Sequence, residues 1–177
     1  VMAVPRGNGE HVIMDTSFFQ YSYGKLQLAK LEGRIAMPDP AGYDDEGNLS
    51  RDPAEVLRCQ RLIPMGKWKG SSIAMLLDLI TSVSSFGYSS AALAALEGTD
   101  ERACSQTFII INPLALGERE QADAIVDEAL EMVLGATPVP GETVRYPGQA
   151  MLGIRKENTQ LGIPVHEKVW NKILSLK

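Results

Sequence analysis

From Ser71 to Phe86 nearly every position is apolar or small. Ile73, Ala74, Met75, Leu76, Leu77, Leu79, Ile80 and Val83 follow so closely that almost every face is apolar. A helix that is apolar all round needs neighbours on several sides, so this segment is expected at the centre of a layered structure. Ser72, Ala74 and Ser82 permit close approach by those neighbours, and Gly87 is placed to end the helix. The longest apolar run, Ile73 to Ile80, is broken by Asp78 and is too short to span a bilayer, so no membrane is expected as a partner.

The flanking sequence supplies the other layers. Val1 to Pro5 and His11 to Asp15 have the composition of two short strands, joined by Arg6-Gly7-Asn8-Gly9-Glu10. Asn8-Gly9 predicts a tight hairpin in which both residues take positive φ. Lys25 to Glu32 is helical in composition and Gly33 closes it. Ile35 to Pro53 is dense in Pro, Gly, Asp and Asn and is expected as loop. Asp52-Pro53 is a helix start, with Asp as N-cap and Pro at the first helical position. Ser89 to Leu96 is expected to add a short helix.

Thr107 to Asn112, with Phe108, Ile109, Ile110 and Ile111 in a row, predicts a strand buried on both faces. Glu118 to Leu134 is the clearest amphipathic helix: Ala122, Ile125, Val126, Ala129, Leu130 and Val133 share one side, and Glu120, Asp123, Asp127 and Glu131 the other. Val144 to Tyr146 is expected as a short strand closed by Pro147-Gly148. Ala150 to Leu161 and the tail Pro164 to Leu176 are expected as helices. Alternating strands and helices indicate an α/β or α+β layer structure.

Composition narrows the chemistry. A chain of 177 residues is long enough for one domain with a real core. Its net charge of −5 disfavours nucleic acid as a partner, because phosphate binding needs a basic field. Cys59 and Cys104 stand far apart without ligand company, which suits free thiols in a reducing cytoplasm. His11 and His166 lack metal-ligand spacing, so no metal is expected. There is no signal peptide pattern at Val1-Met2-Ala3-Val4.

The absent motifs are as informative. No Gly-x-Ser-x-Gly elbow, no Gly-x-Gly-x-x-Gly after a strand and no Walker loop occurs. Asp44 and Asp45 lack the alternating ligands of a calcium loop and read as a solvated acidic turn. Asp15, at a strand end, is the best single carboxylate, either as a turn cap or as a ligand. The remaining candidate is Lys67-Trp68-Lys69-Gly70, a basic loop opening into the apolar helix. Amides at a helix start beside lysines suit an anion, Trp68 could stack on a planar ring, and Lys69 could pair with phosphate. The alternative is ordinary exposed surface.

Three stretches carry a resemblance: Asp15-Thr16-Ser17 with Tyr21-Ser22-Tyr23-Gly24-Lys25; Gly42-Tyr43-Asp44-Asp45-Glu46-Gly47-Asn48-Leu49; and Arg61 to Ser71. With Tyr146-Pro147-Gly148 and Val169-Trp170, in order along the whole chain, they make it similar to the C-terminal half of the malate/L-lactate dehydrogenase-like family of NAD(P)H-dependent reductases. The Gly-x-Trp-Lys-Gly-Ser form of the central loop points to the branch that acts on 2,3-diketo-L-gulonate.

The resemblance implies a family-specific non-Rossmann α/β fold, incomplete in this chain, with a cofactor region over residues 1–150 and C-terminal helices over 151–177. It implies hydride transfer from NADH, with NADPH as the other candidate, to the keto group of a small 2-oxo acid. The substrate expected first is 2,3-diketo-L-gulonate. Malate, lactate, ureidoglycolate, sulfolactate or a cyclic imine acid are alternatives, and so is an interaction module that kept the fold without the chemistry. The partners implied are a second copy in a homodimer and the N-terminal half of the enzyme. That half holds the family's catalytic His, so no catalytic residue is assigned here. Cofactor contacts fall on His11, Val12, Ile13, Met14, Asp15, Thr16 and Ser17, on Trp68 and Lys69, and on Gly148, Gln149 and Ala150. Many members carry an acidic residue where this chain has Gln149-Ala150. Lys67 stands where near members are uncharged, which is expected to favour a phosphorylated cofactor.

Overall fold

A computed structural model describes residues 1–96 and 105–176. The chain divides into two compact units, Val1–Asp15 with the chain from Ile111 onward, and Thr16–Ile110. Both are helix-rich, and each contains one small antiparallel hairpin.

In the first unit, β1 (Met2–Val4) pairs with β2 (Val12–Met14) in the register Met2↔Met14, Ala3↔Ile13, Val4↔Val12. The expected hairpin is present, but its turn is longer than a two-residue one. Only Gly9 takes positive φ (80°), and its N–H closes a turn onto the Arg6 carbonyl. Asn8 does not take positive φ; its side chain accepts from the Glu10 N–H at 2.9 Å.

A short 3₁₀ turn, Pro113–Ala115, precedes α5 (Arg119–Leu134), which opens with a reciprocal capping box between Glu118 and Gln121 and ends at Gly135. The polar face of α5 is not idle. Asp123 accepts from the Gly7 N–H at 3.0 Å, and Asp127 accepts from Arg6 Nη2 at 2.6 Å, so carboxylates one turn apart grip the hairpin loop. After it come α6 (Gln149–Leu161) and α7 (Glu167–Ser175), the latter capped by His166 Nδ1 accepting from the Lys168 N–H. Val144 to Tyr146 forms no strand. Tyr146 is buried, and its N–H is taken by Gln149 Oε1 at 3.2 Å, where a ladder partner would otherwise be needed.

The second unit holds the larger core. Here α1 (Tyr23–Leu31) is capped by Ser22 and α2 (Pro53–Cys59) by Asp52, as the sequence predicts for α2. They pack against each other around Leu26 and Val56, both fully buried, with Tyr21, Ala29, Met37 and Ala41. The stretch expected as loop contains β3 (Gly42–Tyr43) and β4 (Leu49–Ser50), paired antiparallel. Its high density of turn formers hides a hairpin two residues long on each side, because Asp44 and Gly47 (φ 87°) belong to the turn between them. Gly42 must be glycine: an added Cβ would lie 2.5 Å from Val56 Cγ1 and 2.6 Å from the Arg61 carbonyl.

Next come α3 (Trp68–Ser85) and α4 (Ser90–Ala94), the latter capped by Ser89. Two expectations fail here. α3 is helical, but of its residues only Gly70 is buried; Met75, Leu76, Ile80 and Val83 are all more than half exposed. Phe108 to Ile111 is no strand and is 75–91% exposed. A strand exists only through its ladder, and the strands of both hairpins pair with each other rather than with this run. Cys59 carries a free thiol; Cys104 lies outside the described residues.

Candidate functional site

In the first unit the site is built where α6 meets β2. The Ile13 N–H, on the edge of β2, donates to the Pro147 carbonyl at 3.0 Å. The chain then turns through Gly148 (φ 92°) into α6. A Cβ at Gly148 would stand 3.0 Å from the Ile13 nitrogen and 3.1 Å from its carbonyl oxygen, so positive φ and close backbone approach both call for glycine. Gln149 is occupied in bracing this turn through Tyr146.

Between strand and helix lies a cavity of about 610 Å³ with mostly apolar walls. His11, Ile13 and Gly148 border it on one side; Met151, Leu152 and Arg155 border it from α6. His11 Nδ1 accepts from the Arg6 N–H at 3.1 Å, which leaves the ring proton on Nε2 as a donor. Val12 and Met14 pair with Val4 and Met2 and, by strand alternation, face away from Ile13. Asp15 is exposed and caps no turn among the described residues.

The second unit carries the other expected residues. Thr16 Oγ1 donates to the Ser17 carbonyl. The next residues run antiparallel to the stretch before Lys67: the Met65 N–H donates to the Phe18 carbonyl and the Gln20 N–H to the Ile63 carbonyl, both at 2.8 Å. Gly66 (φ 66°) and Lys67 (φ 59°, ψ −128°) then reverse the chain, and α3 begins at Trp68. Trp68 and Lys69 are therefore helix residues, not loop; the glycine-like conformation of Lys67 starts the helix three residues earlier than composition alone indicates.

The Gly70 position tolerates no side chain, since a Cβ would run into the Met65 carbonyl. Trp68 is 71% exposed over a hollow of about 820 Å³ bordered also by Lys67, Tyr43, Leu49 and Asp39. Lys69 is exposed outside that rim.

The acidic turn beside α2 is structural. The Asn48 N–H, followed by the Asn48 side chain and the Glu46 and Gly47 amides, holds the Asp44 carboxyl below the usual carboxylate range. The Arg58 guanidinium, 2.6 Å from Asp45, lowers that carboxyl in turn. Burial, then the hydrogen bond to Asp45, pushes the Cys59 thiol up, which makes it a poor nucleophile. Among the described residues no cluster of three His, Cys, Asp or Glu is arranged for a metal, and no helix is long and apolar enough to cross a membrane.

Residues 1–174 match the family described as malate/L-lactate dehydrogenase. The chain belongs to this family. It is 42% identical over 165 residues to 2,3-diketo-L-gulonate reductase of Pasteurella multocida, covering 93% of this chain and 49% of that one. It is 40% identical, with the same coverage, to the enzyme of that name from Haemophilus influenzae. The chain thus spans about half the length of the curated relatives it matches.

Among solved structures, a dehydrogenase from Sinorhizobium meliloti superposes with a TM-score of 0.73 at 20% identity, over 98% of this chain and 50% of its own. The δ1-piperideine-2-carboxylate reductase of Pseudomonas syringae does so with 0.68 at 22%, over 99% and 51%. These likenesses establish the fold. The family's reductases imply a nicotinamide cofactor in general; in the first unit the Gly148 cradle and the apolar cavity suit part of such a group, and in the second unit, taken by itself, the exposed Trp68 offers a flat face.

Sequence reasoning missed the α6 wall of the cavity. Its signal was available: Met151, Leu152, Arg155, Asn158 and Thr159 recur at one-face helical spacing beyond the Pro-Gly step.

Proposed function

We propose that this chain is the cofactor-side part of an NAD(P)H-dependent reductase of small 2-oxo acids, with 2,3-diketo-L-gulonate as its substrate. The observation that carries the reading is the identity of 42% to a curated reductase of that substrate, sustained over 93% of the chain. The fold is the family's own non-Rossmann α/β arrangement, present here in part. Its cofactor region is residues 1–150, followed by C-terminal helices over 151–177. The working enzyme is a cytoplasmic homodimer in which polypeptide equivalent to the rest of the relatives' length completes the site.

Reduction of the keto group needs a hydride at carbon and a proton at oxygen. The cofactor, when bound, supplies the hydride. His11 to Ser17, Trp68, Lys69 and Gly148 to Ala150 contact it. Gly148 lets backbone approach closely, His11 Nε2 offers a donor, and Trp68 offers a flat apolar face. No side chain of this chain is assigned as the proton donor, which belongs to the remaining part. Gln149 Oε1 accepts from the Tyr146 N–H, which supports the turn that carries Gly148.

NADH titrated into the chain is expected to change its fluorescence. With polypeptide equivalent to the rest of the Pasteurella relative added, NADH should be consumed faster with 2,3-diketo-L-gulonate than with malate, lactate or ureidoglycolate. Turnover fastest on another acid would move the substrate within the family. Absence of NADH binding even in the completed protein would leave the interaction module as the better reading.

A further inference from the structure

Arg155 is a cation of the first unit's cavity lining. It stands on α6 at the rim of the apolar cavity, one turn after Met151. Among the described residues no carboxylate lies within ion-pair distance of it. Its neighbour Thr159 spends its hydroxyl on the Arg155 carbonyl at 2.7 Å. The polar residues left on the cavity lining are therefore Arg155, Asn158 and His11, beside Ile13, Leu152 and Ile163.

A cavity of about 610 Å³ is in the range that encloses a nucleoside. Apolar walls suit the two faces of a purine, and a planar guanidinium suits a phosphate monoester, which it can hold by two parallel hydrogen bonds. We propose that this cavity takes the adenosine end of the cofactor and that Arg155 reads the phosphate on its ribose, so that Arg155 sets preference for the phosphorylated cofactor. The proposal rests on the cofactor reading above. It also moves the phosphate reader away from Lys67, which borders the hollow of the other unit.

The test is calorimetric titration of the full chain, unaltered and as Arg155→Gln and Lys67→Gln, with adenosine 2′,5′-bisphosphate and adenosine 5′-monophosphate. Arg155 is exposed, so circular dichroism should report unchanged folding of its variant. Arg155→Gln is expected to weaken the bisphosphate about tenfold, as loss of a charge-assisted contact should, and to leave the monophosphate within about twofold. Lys67→Gln should change neither.

Equal weakening of both ligands would mean that Arg155 holds a phosphate common to the two cofactors, and the proposal falls. It falls equally if Arg155→Gln changes nothing, or if Lys67→Gln removes the preference. Failure of both ligands to bind the unaltered chain also overturns it. An NADH titration then separates the two readings: persistent NADH binding leaves the cofactor reading standing with the adenosine end elsewhere, and its loss removes both.

Discussion

Single residues define this site by what they cannot be. Gly148 combines positive φ with backbone contact to Ile13. Gly148→Ala is expected to cost about 1–3 kcal/mol in urea unfolding and to weaken NADH binding, since the turn must open to admit the methyl group. An unchanged unfolding midpoint would refute the cradle. Lys67 is the reverse case, a side chain in backbone territory that favours glycine (φ 59°, ψ −128°). Lys67→Gly should stabilise the second unit by about 0.5–1 kcal/mol, and a loss of stability would show that its side chain matters more than its backbone.

Asp44 gives a pH prediction. Its carboxyl is held below the ordinary range, chiefly by the Asn48 N–H. The stability it confers is therefore present above the unfolded-state value and is lost as pH falls through the folded one. Unfolding measured near neutrality and again below roughly pH 4 should show that loss, smaller in Asp44→Ala. The Asp45 carboxyl, lowered by Arg58, adds to it in the same direction. Gly148 and the acidic turn were legible as residues in the sequence. The conformation of Lys67 was not, because nothing in its chemistry announces a positive φ.

At the scale of elements, the helices were the readable part. Caps such as Asp52 and the period of α5 are local signals, and local signals survive whatever the rest of the fold does. Strands depend on partners remote in sequence, and there the reading broke down. Phe108 to Ile111 has strand composition and no ladder, and β3–β4 has a ladder within turn composition. The polar face of α5 was visible from its spacing, but not the loop that it grips. Asp127→Ala should cost up to about 1 kcal/mol, as expected for a partly exposed ion pair whose Arg6 end is the more enclosed. Salt should erase most of the difference; a larger, salt-independent loss would mean that the pair orders the whole hairpin.

For the molecule as a whole, the decisive fact is apolar surface without cover. The core of the second unit lies between α1 and α2, while α3, the most apolar of the longer helices, contributes only Gly70 to the buried set. The sequence announced that α3 needs covering; it did not say by what. The isolated chain is expected to self-associate, with sedimentation showing species that grow with concentration. Leu76→Lys and Val83→Lys should reduce this without lowering the unfolding midpoint, because both side chains are more than half exposed. A monodisperse monomer would contradict the expectation.

The hairpin loop and α5 are joined by Arg6 and Asp127, 121 positions apart. The second unit is one unbroken stretch, Thr16–Ile110, whereas the first is assembled from both sides of it. On the ribosome, then, the second unit can complete its core while the β1–β2 hairpin waits, unpaired with helix, until the codons for α5 and α6 have been read. The cradle at Gly148 can exist only once the whole of the second unit has been made, because Ile13 and Gly148 lie on either side of it in the chain.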